Sequence, residues 1–376
     1  MINLEKFQKN INFSVILTTG RTGSDFLHAC LDNIPGLVTL SGSFFYYNFL
    51  DNLNKNLPEY TNREILKIFI KKHKNLLIED KIENKIINLD IKKFSYFFLK
   101  ILKENKLNKK NLFLTIYLSY YLCVNKNLNK IKTIVHHSHQ KNETKNFISD
   151  FGKKKVRLLV TVREPRANLK SGIVNWIKFD PGMQNQKHFL FYIKRIRQDL
   201  MFAFKKEKKM FIKLEHANLI VVKKKLLKFL GVNYNSNIKR ATFLGRPWKG
   251  DKLSDFKNFK IGEYNKGVQK NNWEQFFSNH DKKMLNFLYY DYNYIGYKFK
   301  KININSFFYF FIFSFLPLSF EKKLFKLSYF LNFNIKLKHK FCNIYFFILR
   351  IIYFYFIFFV RLFSLQKNKF KSSIKI

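Results

Sequence analysis

Phe13 to Thr18 (FSVILT) is an unbroken apolar and β-branched run that stops at a glycine turn and gives way to a helix-like pattern from Asp25 to Asn33. A short run without polar alternation reads as a strand buried on both faces, which is the mark of a parallel sheet. The same order recurs at Val156 to Val162 (VRLLVTV), where the chain leaves through Arg163, Glu164 and Pro165 into a helix from Arg166. Proline is well tolerated in a first helical turn. Two such units predict an α/β fold, a three-layer parallel sheet covered by helices on both faces. Residues 60 to 130 set Lys, Asn and Glu against Ile, Leu and Phe at helical spacing, which predicts a helical insertion over about 50 to 130, followed by a strand at Ile131 to Val135.

Charge comes next, because the chain carries 70 Lys plus Arg against 25 Asp plus Glu, a formal +45. Only 11 of the basic residues are Arg and 59 are Lys. Lys crowds together with Asn, Ile, Phe and Tyr, all read by A/T-rich codons, so the bias reads as nucleotide composition. Nucleic-acid surfaces lean on Arg forks and interleaved aromatics, and that partner class is disfavoured. Anionic partners remain favoured. With 47% hydrophobic and 18% aromatic residues, a disordered basic tail is excluded. Cys30, Cys123 and Cys342 lie too far apart for a paired framework or a CxxC metal site, pointing to a reducing compartment and no metal. The first twenty residues lack the long apolar stretch and small-residue cleavage site of a secretory signal, so the α/β part is expected in the cytoplasm.

From Asn305 the composition changes. Ser306 to Phe320 and Phe341 to Phe363 are dense aromatic and aliphatic runs, separated by a Lys-rich linker and followed by a tail with Lys367, Lys369, Lys371 and Lys375. Residues 1 to 300 are expected to form the α/β domain and 301 to 376 an apolar, basic-flanked, membrane-associated helical segment. The first run is short for a bilayer span and holds Pro317; the second carries Arg350 near its middle, and Lys lies on every flank. Helices lying in or on an anionic inner leaflet, attached through residues 305 to 363, are the favoured reading. A true span of 341 to 363 is the second reading, and packing on the domain the third.

The sharpest motif is TTGRTGSDFL at 18 to 27, between the first strand and its helix. A glycine turn there turns backbone N–H groups outward, and the helix N-terminus adds partial positive charge, so the loop suits a phosphate or sulfate. It departs from the Walker pattern, because Arg21 precedes the Thr22, Gly23, Ser24 turn and no Lys follows Gly23. The bland alternative is a Gly/Ser turn in which Ser24 or Asp25 caps the helix. The second motif is VTVREPRANLKSG at 160 to 172, in which Ser171 lies eight residues beyond Arg163. A helix starting near Pro165 can turn that hydroxyl toward the anion an Arg fork grips. In a chain that uses Lys nearly everywhere, Arg21, Arg163 and Arg166 mark positions that need a rigid planar donor.

A strand followed by GRTGS, and a later strand followed by RxPRxxxxSG, resemble the sulfotransferases that use 3'-phosphoadenosine 5'-phosphosulfate (PAPS). The resemblance spans roughly residues 12 to 297. It implies a P-loop-like phosphosulfate loop at Arg21, Thr22, Gly23, Ser24 and Asp25, with Arg163 and Ser171 on the 3'-phosphate. IKLEHANLIVVKKKLLKFLGV at 212 to 232 is similar to the family's strand and helix closing in FLG. TFLGRPWKGD at 242 to 251 and KGVQKNNW at 266 to 273 both look like its late cofactor loop. The implied activity is sulfuryl transfer from PAPS, without metal, to a hydroxyl of a glycan, glycolipid or other membrane-proximal acceptor. Arg21 stands where many relatives have Lys and would neutralise the leaving group's bridging oxygen.

Relatives of this kind use either a Glu shortly after the first helix or a His after a middle strand as base. Here the Glu position reads TLSGSFFYY, with Ser43 and no carboxylate, whereas KTIVHHSHQ offers His136, His137 and His139. Strand alternation puts His137 and His139 on one face, and His137 is the first choice of base. Trp176 and the run Phe44 to Tyr47 are candidates for stacking on a sugar, with core packing the more ordinary use. The alternatives are a membrane-attached nucleotide-binding protein without turnover, and a P-loop-like phosphotransferase using ATP and magnesium.

Overall fold

The computed structural model describes residues 2–53, 57–77, 89–124, 127–179, 185–248, 250, 262–264 and 272–367. In chain order the elements are α1 (Leu4–Asn10), β1 (Asn12–Thr18), α2 (Ser24–Leu31), β2 (Leu37–Val38), α3 (Tyr46–Asp51), α4 (Asn62–His73), α5 (Ile91–Lys103), α6 (Lys109–Cys123), β3 (Thr133–Ser138), α7 (Lys141–Phe151), β4 (Val156–Val162) and α8 (Pro165–Phe179). There follow α9 (Gln186–Phe204), β5 (Lys209–Lys213), α10 (Ile220–Leu230), β6 (Thr242–Phe243), β7 (Arg246–Pro247), α11 (Trp273–Phe276), α12 (Asn279–Leu288), α13 (Ile304–Phe313), α14 (Leu327–Leu331) and α15 (Leu337–Lys367). The chain divides into two compact units. One is Met1–Thr18, Thr22–Thr161 and Phe202–Gln269; the other is Thr19–Arg21, Val162–Met201 and Lys270–Ile376. In this division residues beyond 300 group with α8 and α9.

The first unit holds a five-stranded parallel sheet in the order β2-β3-β1-β4-β5. β1 pairs in parallel with both β3 and β4, with Ile16 abreast of His137 and Leu159. Helices cover both faces. On one, Ile16, Val135 and Leu159 pack with Phe26, Leu27 and Cys30 of α2 and Leu226, Leu227 and Leu230 of α10. On the other, Phe13 lies against Phe147 and Phe151 of α7, and Phe113 of α6 joins the same group. This is the α/β architecture that continuous apolar strands require. β4 has the bounds its sequence predicts. β3 does not: the expected Ile131–Val135 moves to Thr133–Ser138, because pairing with Val15, Ile16 and Leu17 draws His136, His137 and Ser138 into the sheet.

The insertion is helical as expected, through α4, α5 and α6. α6 is buried from Asn111 to Tyr121, so its apolar residues surround the helix and mark no single face. β5 and α10 match the strand and helix of the 212 to 232 segment, and Gly231 ends α10 at φ 78°. That left-handed closure favours glycine, which has no Cβ to oppose it.

The second unit is helical. Buried ion pairs tie it together: Arg197 and Arg361 both grip Asp291, at 2.7 and 3.0 Å, and Arg350 lies 3.5 Å from Glu321. Gln186 donates to Glu321, and the Arg350 guanidinium donates to the Leu316 carbonyl. The two apolar runs become α13 and α15. On α15 the buried positions Asn343, Arg350, Phe354, Ile357 and Arg361 share one face. Phe341, Tyr345, Ile348, Ile352, Phe356, Phe359 and Phe363 form an exposed stripe at helical spacing. The arginines that complicate a bilayer span thus point into protein. α15 is long and apolar enough to cross a membrane over Leu337–Phe363.

Candidate functional site

Within the sheet unit, the turn before α2 is held by hydroxyls. Thr22 Oγ1 lies 2.8 Å from Thr18 Oγ1 and 2.7 Å from Thr161 Oγ1, all buried. These short contacts pin the start of α2 to the ends of β1 and β4. Gly23 then adopts φ 72°, and a Cβ there would run into Leu214. Glycine is required twice over, by backbone conformation and by close approach. Ser24 opens α2 and is buried, while Asp25 in its first turn is partly exposed. Gly23 holds the N-cap position of α2, which therefore has no side-chain cap.

Asp25 stands beside the histidines. Its Oδ1 is 3.9 Å from His137 Nδ1 and 3.6 Å from His139 Nε2, and the two imidazole centroids are 4.6 Å apart. His136 points to the opposite face, where Nδ1 meets the Tyr117 hydroxyl at 2.8 Å and the ring stacks on Phe147. Alternation along β3 therefore sorts the cluster as expected, and His136 belongs to the core. Burial, with His139 and His28 adding to it, pushes His137 well below the ordinary imidazole range, and Asp25 opposes the shift. His137 is fully enclosed, whereas the side chain of His139 keeps 27% of its surface exposed. The adjacency of Asp25 to the histidines joins two chain segments that no local pattern links.

Within the helical unit, the first half of the glycine turn meets α8. Asn168 accepts the Arg21 backbone N–H at 2.8 Å and donates its amide to the Thr19 carbonyl at 2.8 Å. Gly20 sits at φ 120°, and a Cβ there would lie 2.7 Å from Asn168 Oδ1. Asn168 is completely buried. It falls on an unspecified position of RxPRxxxxSG, and among Arg166, Lys170 and Ser171 its polarity gives no signal in the sequence. One backbone donor of the expected anion cradle, that of Arg21, is taken by this clip.

α8 starts with its own cap. Glu164 is buried and accepts from the Ala167 N–H at 2.7 Å and from Arg166 Nε. Burial raises the Glu164 carboxyl and Arg166 opposes the shift. The Arg166 guanidinium lies over Trp273 at 3.9 Å and Phe299 at 4.5 Å. A rigid planar cation is needed there for stacking and capping. Arg163 is half-buried where β4 gives way to α8, and Ser171 is half-buried on α8 and accepts from the Asn175 amide at 3.3 Å. A Cβ at Gly172 would lie 2.7 Å from the Tyr192 ring, so this glycine of the motif serves helix contact with α9.

Phe44, Tyr46 and Tyr47 are core residues, and the side chain of Trp176 lies outside the described residues. The 242 to 251 segment begins as the hairpin β6–β7 and continues to a buried Trp248. Most of the 266 to 273 segment lies outside the described residues. The three cysteines are free thiols.

No family model matches this sequence, and no curated protein matches it. Solved structures similar to it include the sulfotransferase domain of the Synechococcus PCC 7002 olefin synthase, with a TM-score of 0.43 and 13% identity over 70% of this chain and 88% of that one. The sulfotransferase domain of the curacin biosynthetic pathway gives 0.43 and 14% over 69% and 89%. Sulfotransferase STF9 from Mycobacterium avium gives 0.33 and 9% over 61% and 66%. Similarity at this level leaves the functional reading to rest on the residues themselves.

Proposed function

We propose that this chain transfers a sulfuryl group from PAPS to a hydroxyl of a glycan, glycolipid or other membrane-proximal acceptor. The observation that carries the reading is the Asn168 clip, which fastens Thr19 and Arg21 of the glycine turn to α8. Thr19 and Arg21 of the first motif that resembles the PAPS family are thereby held to Asn168 of the second. The donor set suits an anionic nucleotide: two half-buried arginines, Arg21 and Arg163, and a helix start at Ser24.

PAPS supplies the activated sulfuryl group, and the acceptor oxygen displaces adenosine 3',5'-bisphosphate in line. Arg21, with Thr22, Gly23, Ser24 and Asp25, is assigned to the phosphosulfate, and Arg163 with Ser171 to the 3'-phosphate. Arg21 neutralises charge on the bridging oxygen as it leaves. The acceptor's proton goes to the His137–His139 pair. A deeply buried imidazole held well below its ordinary range is the poorer proton acceptor, so His139, partly open to solvent, takes the proton and His137 backs it.

Membrane association follows from the outward stripe of α15 and its Lys-rich flanks, with the helix lying on an anionic leaflet and its arginines turned inward. The test is calorimetric titration of the full chain with adenosine 3',5'-bisphosphate and, separately, with ATP plus magnesium. The full chain is required because trimming residues 301–376 would take Arg361 from buried Asp291 and Glu321 from buried Gln186. Preference for the bisphosphate, lost in Arg163→Ala and Arg21→Ala, is expected. Binding of ATP alone, or of neither nucleotide, would overturn the reading.

A further inference from the structure

We propose that Asp25, His137 and His139 form a binding site for a divalent transition-metal ion of the zinc or cobalt type. Among the described residues this is the one grouping of three metal-type donors that lies close enough, with one donor atom from each within 4.8 Å of the others. Two imidazoles and one carboxylate suit such ions and leave coordination positions open. Tetrahedral bonds of about 2.0–2.1 Å set donor atoms about 3.4 Å apart. The observed 3.6 and 3.9 Å from Asp25 Oδ1 need a few tenths of an ångström of closure, and the three donor atoms, within 4.8 Å of one another, close further by rotation of the partly exposed Asp25 and His139 side chains.

A second observation points the same way. The His137 side chain is fully enclosed, and neither of its ring nitrogens has a hydrogen-bond partner. A buried polar atom left so costs about 1–3 kcal/mol unless something satisfies it. Nδ1 lies on the side of Asp25, where a metal would meet it. The ring is held in place by His28, whose centroid is 4.8 Å away. The charge is also suitable: Asp25 brings a negative group into a strongly basic chain, and the charged or titratable groups bearing on His137 are His139, His28, His136 and Asp25, with no Lys or Arg among them. Cysteine spacing could not reveal this site, since its ligands come from β3 and the first turn of α2.

In the transfer reading, a metal and the acceptor's proton compete for the same imidazole lone pairs, so an occupied site blocks transfer. That consequence rests on the proposed function; binding itself does not. The experiment titrates the full chain, purified with a chelator and without a polyhistidine tag, with cobalt(II), followed by displacement with zinc(II). Wild type should give visible ligand-field bands at one equivalent, lost on adding zinc. Asp25→Asn and His139→Ala, both at partly exposed positions, should each weaken cobalt binding by about tenfold or more. Absence of the bands in wild type, or equal binding by both variants, overturns the site. Adenosine 3',5'-bisphosphate is titrated into the same preparations. Metal binding without nucleotide binding would retain the metal site and sink the transferase reading, and the converse would do the reverse.

Discussion

The sheet unit and the helical unit hide polar chemistry in different forms. Beneath the sheet, histidines are taken inside as neutral rings: His136 is pushed down to about 3 by burial, and His137 also falls well below its ordinary range. In the helical unit the groups taken inside are full charges, Arg350 with Glu321 and Arg197 with Asp291 and Arg361. A neutral ring needs one hydrogen bond or an aromatic neighbour, and can still offer a lone pair to a proton or a metal. A buried charge must keep its partner, which fixes helix register and leaves no spare chemistry. The difference leaves unshared lone pairs on His137 in the sheet unit and paired, fixed charges in the helical unit.

The comparison is broken most severely at Glu321. Its replacement by Ala leaves Arg350 buried and unpaired, and should destabilise the chain by about 3–5 kcal/mol. The double replacement Glu321→Leu with Arg350→Met should recover most of that loss, because hydrophobic residues of similar volume often substitute for a buried pair. Thermal unfolding in detergent micelles measures both. A single variant as stable as wild type would mean that the pair does not organise this unit.

Asn168→Ala comes next. It removes both hydrogen bonds that clip the glycine turn, at a cost of about 1–3 kcal/mol, and should weaken bisphosphate binding as well. Asn168→Asp keeps the acceptor for the Arg21 N–H and loses the donor to Thr19, so an intermediate result is expected in both denaturation and calorimetry. Full bisphosphate affinity in the Ala variant would show that the clip supports the fold alone.

These residues also show how far the sequence could be read. Strands β1 and β4 were legible because a strand buried on both faces needs an unbroken apolar run, and the glycine turn after β1 was legible because left-handed backbone selects glycine. The phase of His136, His137 and His139 followed from strand alternation. Their depth did not: β3 shifted along the chain because its partner β1 decides how far the pairing runs, and pairing is a long-range property. Asn168 was missed for the same reason, and so was the adjacency of Asp25, read only as part of the glycine loop, to the histidines, since each acts on a segment distant in sequence. Arg350 was legible as an oddity in an apolar run, and its partner Glu321 became identifiable only once the helices were packed.

A pH scan sharpens the comparison from the neutral side. His73 lies among Phe44, Phe49 and Phe69, and burial, with Lys72 adding to it, pushes it from 6.5 down to about 4. Between those values the unfolded chain binds more protons than the folded one, so stability is full above pH 6.5 and falls as the pH drops toward 4. The ring keeps some contact with solvent, which reduces the loss to about 1–2 kcal/mol. His73→Phe should flatten this part of the stability profile, read by denaturant midpoints at a series of pH values. An unchanged slope would locate the acid sensitivity elsewhere.

The smallest effect on stability is expected on the outward stripe of α15, and its smallness is what makes it informative. Phe356 is 59% exposed and lies on the face opposite Arg350 and Arg361. Phe356→Ser leaves every buried ion pair intact, so unfolding in detergent should shift by no more than about 0.5 kcal/mol. Binding to vesicles containing anionic lipid should weaken by about tenfold, since a phenyl ring withdrawn from water contributes roughly 1.5–3 kcal/mol. An inward change such as Ile357→Ser, at a fully buried position, should do the reverse, costing stability first. If Phe356→Ser destabilised the fold as much as Ile357→Ser while vesicle binding held, the stripe would be covered by protein, and the proposed contact of α15 with a membrane would fail.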